Sequence, residues 1–202
     1  MTRITAKGRY ALSMREYRGQ PCDALSLSAS DAIRLSESTP MHLRQSWIEP
    51  ERRDHRTNMG TAIHSLLLEP LRRNSAIVVI DADSFRTKPA REAADEALDA
   101  GMVPLLAETY EAALNAVSAV KAHAEAALWL GSGTPEQCYF SKHPLGVWTK
   151  ARPDLVNSND IIIDIKSVGD ANPDFIRRRI YDGGWYMQAS FHCDVFRGAT
   201  NR

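Results

Sequence analysis

Residues 160–166 read Asp-Ile-Ile-Ile-Asp-Ile-Lys, an isoleucine run that contains one internal acid and ends in a base. Side chains alternate between the two faces of a β-strand, so Ile162, Asp164 and Lys166 are expected on one face. Ile161, Ile163 and Ile165 then share the other face, and a strand with apolar residues on both faces is covered on both sides. Two charges at the end of such a strand are costly to bury. They must be compensated by each other, by a metal ion or by a water-filled cleft.

A second carboxylate, Asp154, follows Pro153 and precedes Asn157-Ser158-Asn159, a run that favours a turn. A hairpin or an adjacent strand would bring Asp154 beside Asp164, where two carboxylates repel each other unless a cation lies between them. Carboxylate oxygens with room for water are the ligands that Mg²⁺ and Mn²⁺ prefer. With Lys166 orienting or deprotonating a metal-bound water, the set predicts phosphodiester hydrolysis. The alternative is an ion pair between Asp164 and Lys166, with Asp154 as a turn residue.

The order of predicted elements runs from helices to a small sheet and back to a helix. Strands are predicted at residues 76–81, 136–140, 146–153 and 160–166. Helices are predicted to begin at Ser28, with Asp31 completing a capping box, and to span 60–70, 105–130 and 174–196. Residues 88–100 are an exposed helix or a mobile loop, and Gly183-Gly184 should weaken or kink the last helix.

This pattern predicts an α/β or α+β fold class. We expect residues 1–24 to form an irregular N-terminal segment. Residues 25–202 are expected to form a single domain, with a helical part at 25–132 and the sheet and catalytic core at 133–202.

Charge, hydropathy and cysteine content indicate which broad classes of protein this sequence fits. The chain of 202 residues carries 25 basic and 25 acidic side chains, so its net charge gives no support to a nucleic-acid partner. No apolar run approaches the ~20 residues of a membrane span, and the N-terminus has no secretory h-region. Its three cysteines form neither a disulfide framework nor a CxxC metal pair, and a reducing cytoplasm is the expected setting.

Pro153-Asp154 followed by Asp164-Ile165-Lys166 resembles the signature of the PD-(D/E)XK nuclease superfamily, with Asp as its second acid. Other segments resemble one branch, the RecE-like exonucleases (exonuclease VIII) of phage and prophage recombination systems. Between residues 14 and 196 they follow the order of that branch: Met14–Tyr17 with Ser26–Ser30, Ser38–His42, Gly60–His64 through Leu68-Glu69-Pro70, Glu136, Arg152-Pro153-Asp154, and Tyr186–Phe191. The branch continues with further strands, so the resemblance implies a C-terminally short member.

The resemblance implies a restriction-endonuclease-like core, in which a small mixed central sheet is flanked by helices. It assigns metal binding to Asp154 and Asp164, with the Ile165 carbonyl as a third ligand. It assigns positioning of the nucleophilic water to Lys166. The remaining implied site residues are His64 as a metal or active-site residue, Gln188 lining the site beside Lys166 or a phosphate, and Glu136 as a supporting acid.

Candidate DNA contacts are four arginines: Arg152, Arg177, Arg178 and Arg179. Each candidate also has a structural reading. His64 could be a structural histidine, Gln188 could cap or bridge strands, and the run 177–179 could be a solvated face. Trp185 and Tyr186 are expected to pack rather than to stack on bases.

Taken with the resemblance, the sequence predicts a Mg²⁺- or Mn²⁺-dependent exonuclease that acts on linear double-stranded DNA ends, 5′ to 3′. A single-strand annealing protein is its expected partner, and it is expected to form a homo-oligomer that does not bind membranes. One alternative is a non-catalytic DNA-binding or assembly remnant of the same fold. Another is a different PD-(D/E)XK nuclease; a Cas4-like enzyme is disfavoured because its iron–sulfur cluster needs four cysteines.

Overall fold

Short strands alternate with helices over most of the chain. The computed structural model describes residues 3–49, 58–69 and 76–202. Within these ranges the helices are α1 Met14–Arg18, α2 Ala29–Glu37, α3 Pro40–Ile48, α4 Asn58–Leu68, α5 Lys88–Asp99, α6 Ala107–Ala122, α7 Ala124–Leu130, α8 Pro173–Asp182 and α9 Trp185–Thr200. The strands are β1 Gly8–Tyr10, β2 Ser26–Leu27, β3 Ile77–Ile80, β4 Val103–Leu106, β5 Thr134–Pro135, β6 Cys138–Lys142, β7 Trp148–Ala151, β8 Leu155–Val156 and β9 Ile162–Ile163. This content confirms the predicted α+β class.

The described chain divides into two compact units that are interleaved along the sequence. Residues 3–49, 136–164 and 168–202 form the first unit, and residues 58–69, 76–135 and 165–167 form the second. None of the helices within these ranges is both long enough and apolar enough to cross a membrane.

The first unit contains a four-stranded sheet in the order β1-β6-β7-β2. The β6–β7 pair is antiparallel, with Tyr139 opposite Ala151. Alternation along β6 sends Tyr139 to one face, where it packs with Phe196 of α9. It sends Phe140 to the other face, where it packs with Tyr17. Both faces of β6 are therefore covered, which explains why four of its residues are buried in succession.

The sequence suggested an irregular N-terminal segment, but this part of the chain contains the strand β1 and the helix α1. β1 pairs antiparallel with β6, with Gly8 opposite Phe140, and the Tyr10 ring packs edge-on against Phe140 at 5.6 Å. α1 begins with a capping box in which Ser13 and Glu16 bond each other's backbone. A three-residue strand depends on a partner far along the chain, so local sequence patterns do not reveal it.

The second unit is built on a βαβ element in which β3 and β4 run parallel and α5 connects them. α4 and α6 pack against this pair, and α4 contributes Ile63 and Leu66 to the core. Residues 88–100 were expected to be either an exposed helix or a mobile loop, and they form the helix α5. This helix buries Ala90, Ala94 and Ala97 along one face. β4 was not predicted, because Leu105 and Leu106 were assigned to the predicted helix at 105–130, whereas the helix begins at Ala107.

The predicted helix at 174–196 is two helices. α8 ends at Asp182, and α9 begins after Gly184, whose φ is +64°. A Cβ on Gly184 would lie 2.9 Å from Cδ1 of Ile33 on α2. Only glycine combines this backbone conformation with so close an approach.

Gly184→Ala should destabilise the protein for two reasons, the left-handed backbone and the collision with Ile33. Gly101→Ala is a matched control, because Gly101 has φ +76° but no atom lies within 4 Å of the position that a Cβ would take there. We expect the control to cost about 1 kcal/mol and Gly184→Ala to cost clearly more. Thermal melts should also show a smaller cost for Gly184→Ala in an Ile33→Val background. Equal costs at the two glycines would contradict the packing argument.

Candidate functional site

A tight turn connects β8 and β9. The side-chain oxygen of Asn157 accepts hydrogen bonds from the backbone N–H groups of Asn159 and Ile161, both at 3.0 Å. The Asn157 N–H donates to the Ile161 carbonyl at 3.0 Å, and Asp160 has a φ of +60°. Asn157 is buried, so its amide holds the turn from the inside. The predicted turn at residues 157–159 is confirmed.

The register of the β8–β9 pair indicates that two carboxylates lie close together. Leu155 lies opposite Ile163, and Val156 lies opposite Ile162. Continued by one residue, this antiparallel register would set Asp154 opposite Asp164. Directly opposed residues have Cβ atoms about 4.5–5.5 Å apart, a separation that lets two carboxylates share one cation. Both side chains are half-buried, so their mutual repulsion is only partly screened by water.

Gln188, in the first turns of α9, orients one of these acids. Its side-chain Nε2 donates a hydrogen bond to Oδ1 of Asp164 at 2.9 Å. An amide N–H fixes the direction of a carboxylate without neutralising its charge. Asp164 is thus one partner of Gln188 in the structure, and the suggested role of Gln188 at Lys166 or a phosphate stays a prediction.

Glu136 and Arg152 form an ion pair behind Asp154. The Arg152 Nε lies 2.6 Å from a Glu136 oxygen, and Nη1 donates to the Leu12 carbonyl at 2.5 Å. The Arg152 side chain is only 13% exposed. Burial by itself lowers the pKa of Arg152, but the hydrogen bond and the charge of Glu136 outweigh it and raise the net pKa. Glu136, at a φ of +59°, also donates its N–H to the Asp154 carbonyl at 3.0 Å.

Two expectations concern this pair. Arg152 was expected to contact DNA, and Glu136 was expected to act as a supporting acid. The structure directs the guanidinium inward to Glu136 and Leu12, and the Glu136 N–H bonds the Asp154 carbonyl. Both residues therefore hold the chain that leads into Asp154, while the DNA contact and the acid role stay predictions.

His64, Ile165 and Lys166 all belong to the second unit. His64 and Ile165 are half-buried, and Lys166 is exposed. Strand pairing ends at Ile163, so the predicted strand at 160–166 is shorter than expected. The alternation of side chains that holds within a strand therefore does not apply to Lys166, which lies beyond the end of β9. The roles of these three residues stay predictions.

One contact in the second unit joins two of the sequence motifs. A Cβ on Gly60 would lie 2.7 Å from the Ser167 hydroxyl, so Ser167 occupies the space that a side chain on α4 would fill. His64 lies four residues beyond Gly60 and hence on the same face of α4. The residue that follows Lys166 is thus packed against the helix face that carries His64. The sequence motif that contains Gly60 does not by itself predict this contact.

The donor set fits a hard divalent cation that keeps several waters. In the described part of the chain, no three His, Cys, Asp or Glu side chains are grouped so that they could hold a metal alone. Asp154 and Asp164 supply two carboxylates, which is the number that Mg²⁺ commonly takes from a protein, with waters and substrate phosphate completing its octahedron. A closed zinc site, which needs three or four protein ligands, does not fit this pair.

The basic run on α8 lies at the surface. Arg177, Arg178 and Arg179 are exposed. Arg177 pairs with Asp174 at 3.0 Å, and the Arg179 guanidinium lies 6.0 Å from the centre of the Trp185 ring. Tyr186, which the sequence suggested was a packing residue, is 52% exposed. These arginines remain candidates for contact with phosphate.

The Glu136–Arg152 pair can be tested by removing one charge. Glu136→Gln leaves Arg152 without its counter-ion in a mostly buried position, so we expect a loss of about 1–3 kcal/mol in unfolding free energy. Glu92→Gln is the control, because the Lys88–Glu92 pair is 80% and 67% exposed and should contribute little. Urea denaturation measures both variants. A Glu136→Gln variant as stable as Glu92→Gln would contradict the structural role.

Comparisons with known proteins identify the family. Among curated proteins and among solved structures, none matches the chain significantly. A family model described as a PDDEXK-like domain of unknown function (DUF3799) matches residues 26–202. The matched range includes Asp154, Asp164 and Gln188. The match confirms the predicted membership of the PD-(D/E)XK superfamily, but it does not single out the RecE-like branch. The chain therefore belongs to the PDDEXK-like DUF3799 family, whose fold is of the nuclease type.

Proposed function

We propose that this protein is a metal-dependent deoxyribonuclease that hydrolyses phosphodiester bonds of linear double-stranded DNA as an exonuclease. The observation that carries the proposal is the β8–β9 register, which would set Asp154 opposite Asp164 if continued by one residue, together with the hydrogen bond from Gln188 to Asp164. Membership of a PDDEXK-like family supports nuclease chemistry at this pair, because nucleases of that superfamily generally use divalent metals.

Asp154 and Asp164 would hold Mg²⁺ or Mn²⁺, together with the Ile165 carbonyl. The bound cation would lower the pKa of a water and stabilise negative charge on the phosphate. Gln188 keeps the Asp164 carboxylate in one orientation, so the site needs little rearrangement when charge develops. Glu136 and Arg152 hold the Asp154 backbone from behind, through the hydrogen bond between the Glu136 N–H and the Asp154 carbonyl.

Lys166 would position the attacking water and help remove its proton. Its ammonium is exposed, and the following Ser167 is packed against Gly60 of α4. This packing limits the freedom of the segment 165–167 and supports a defined position for Lys166. His64, one turn along the same face of α4, would act beside it as a further metal or active-site group.

The substrate and the biological setting rest on the resemblance to RecE-like exonucleases. On that basis we propose digestion from duplex ends, 5′ to 3′, within phage-type recombination, with a single-strand annealing protein as partner and a homo-oligomer as the working form. The free thiols of Cys22, Cys138 and Cys193 suit a reducing cytoplasm.

A second candidate is a DNA-binding or assembly remnant that has kept the fold without turnover. It is favoured by the fact that, among the described residues, no three His, Cys, Asp or Glu side chains are grouped so that they could hold a metal ion. The two candidates differ in one property: only the nuclease needs a divalent cation to change the DNA.

The nuclease proposal predicts cleavage of end-labelled linear duplex in Mg²⁺ or Mn²⁺, none in EDTA, and resistance of closed circular DNA. Asp164→Asn and Asp154→Asn should both reduce cleavage to background, because each removes a charged metal ligand. Asp95→Asn, on the exposed face of α5, is the matched control and should cleave normally. Wild-type protein that binds linear DNA but leaves it uncut in either metal would favour the remnant. Cleavage that survives Asp164→Asn would contradict the assigned site.

Variants of Gln188 and Lys166 should distinguish the orientation of a metal ligand from the activation of the attacking water. Gln188→Ala removes the hydrogen bond to Asp164 and should lower the rate by about 10- to 100-fold, with weaker activation by Mg²⁺. Lys166→Ala should abolish most turnover and leave unchanged the thermal stabilisation by Mn²⁺, because lysine is not a ligand. Titration of activity and melting temperature against Mn²⁺ measures both effects. A Lys166→Ala variant that loses its response to Mn²⁺ would place Lys166 in metal binding instead.

A further inference from the structure

Two tyrosines project together from the junction between α8 and α9. Tyr181 is 67% exposed and Tyr186 is 52% exposed, and their ring centres are 5.7 Å apart at an angle of 44°. The Gly183-Gly184 turn between them brings the end of one helix next to the start of the other. Large aromatic side chains that share an exposed site without a core to pack against are typical of binding surfaces.

The same helix presents positive charge. Arg177, Arg178 and Arg179 are all exposed within the turn of α8 that precedes Tyr181. The ion pair between Arg177 and Asp174 has both side chains more than 70% exposed. Such a pair contributes little to stability, so Arg177 can exchange Asp174 for a phosphate at small cost.

We propose that this α8–α9 surface, made of Arg177, Arg178, Arg179, Tyr181 and Tyr186, binds an unpaired strand of DNA. Exposed aromatic rings stack on the faces of bases, and arginines beside them contact the phosphates. A duplex hides its base faces inside the stack, so it cannot use the tyrosines. The proposal rests on the proposed nuclease function and adds to it the form of nucleic acid that this part of the protein holds.

Tyr186 lies at the same level of α9 as Gln188 but on another side of the helix. The two residues are about 3 Å apart along the helix axis and about 160° apart around it. Gln188 faces Asp164, so Tyr186 lies on the side of the same turn that is turned away from this acid. The surface would therefore hold an unpaired strand near the acids without itself contacting them.

A second copy of the chain is the competing occupant for an exposed aromatic pair. In a two-fold symmetric contact the same surface meets itself, so the arginines beside Tyr181 would approach identical arginines of the second copy. Like charges brought together in this way oppose association, whereas a phosphate backbone satisfies them. Charge complementarity therefore favours DNA.

The test is fluorescence anisotropy with a labelled oligothymidylate and with a blunt duplex of equal length, both in EDTA. Tyr181→Ala and Tyr186→Ala should each weaken oligothymidylate binding by about 5- to 150-fold, the equivalent of one lost base stack, and should affect the duplex much less. Tyr186→Phe should bind as wild type, because it keeps the ring. Arg178→Gln should weaken binding and lower its dependence on salt. Trp129→Ala on α7 removes another exposed aromatic residue, at 44% exposure, and is the control that should bind normally.

The outcomes separate this proposal from the nuclease proposal. If both tyrosine variants are folded, as melting shows, and still bind oligothymidylate as the wild type does, the proposed single-strand binding surface is wrong, even if the wild type cleaves DNA. If single-strand binding depends on the tyrosines but the protein never cleaves DNA, the binding surface is supported and the nuclease proposal is wrong. Tyrosine variants that change the sedimentation mass while binding oligothymidylate normally would identify an interface between copies and overturn the DNA assignment.

Discussion

The short antiparallel pair β8–β9 is the constraint on which the candidate site depends. Only two residues on each strand pair, and one step further along the register Asp154 would oppose Asp164, where two carboxylates repel each other. Three groups act against that repulsion: the burial of Leu155 and Val156, the Asn157 amide inside the turn, and the hydrogen bond from Glu136 to the Asp154 carbonyl. A pair this short would not persist by itself, so the acids are held together by their surroundings.

The orientation of Asp164 depends on where α9 begins. Gln188 reaches Asp164 from the first turns of α9, and α9 begins after Gly184 in the left-handed conformation. Gly184 can take that position only because it has no side chain to meet Ile33 of α2. A helix in the N-terminal part of the chain therefore sets the geometry of an acid 131 residues later, through one glycine and one glutamine.

Parts of the structure that depend on contacts within a few residues were predictable from the sequence, and parts that depend on distant partners were not. The Asn157 turn, the Ser28–Asp31 capping box and the helix of the GTAIH segment follow from hydrogen bonds or periodicity within a few residues, and each is present. β1 and the Glu136–Arg152 pair depend on partners that no short window contains. The residue types around Asp164 predict a nearby amide, and Gln188 supplies it. They do not predict the inward direction of Arg152, because an arginine before Pro-Asp suits a phosphate and a partly buried carboxylate equally well.

The Gly60–Ser167 contact explains why two motifs far apart in sequence occur together. One motif carries Gly60 and His64 on α4, and the other ends in Lys166, next to Ser167. Because the Ser167 hydroxyl fills the space above Gly60, a side chain at residue 60 would force Ser167 to move from its place on α4. The glycine of the GTAIH segment is thus explained by packing. The histidine on the same face gains a fixed neighbour in the segment that bears Lys166, so the two motifs constrain each other through one van der Waals contact.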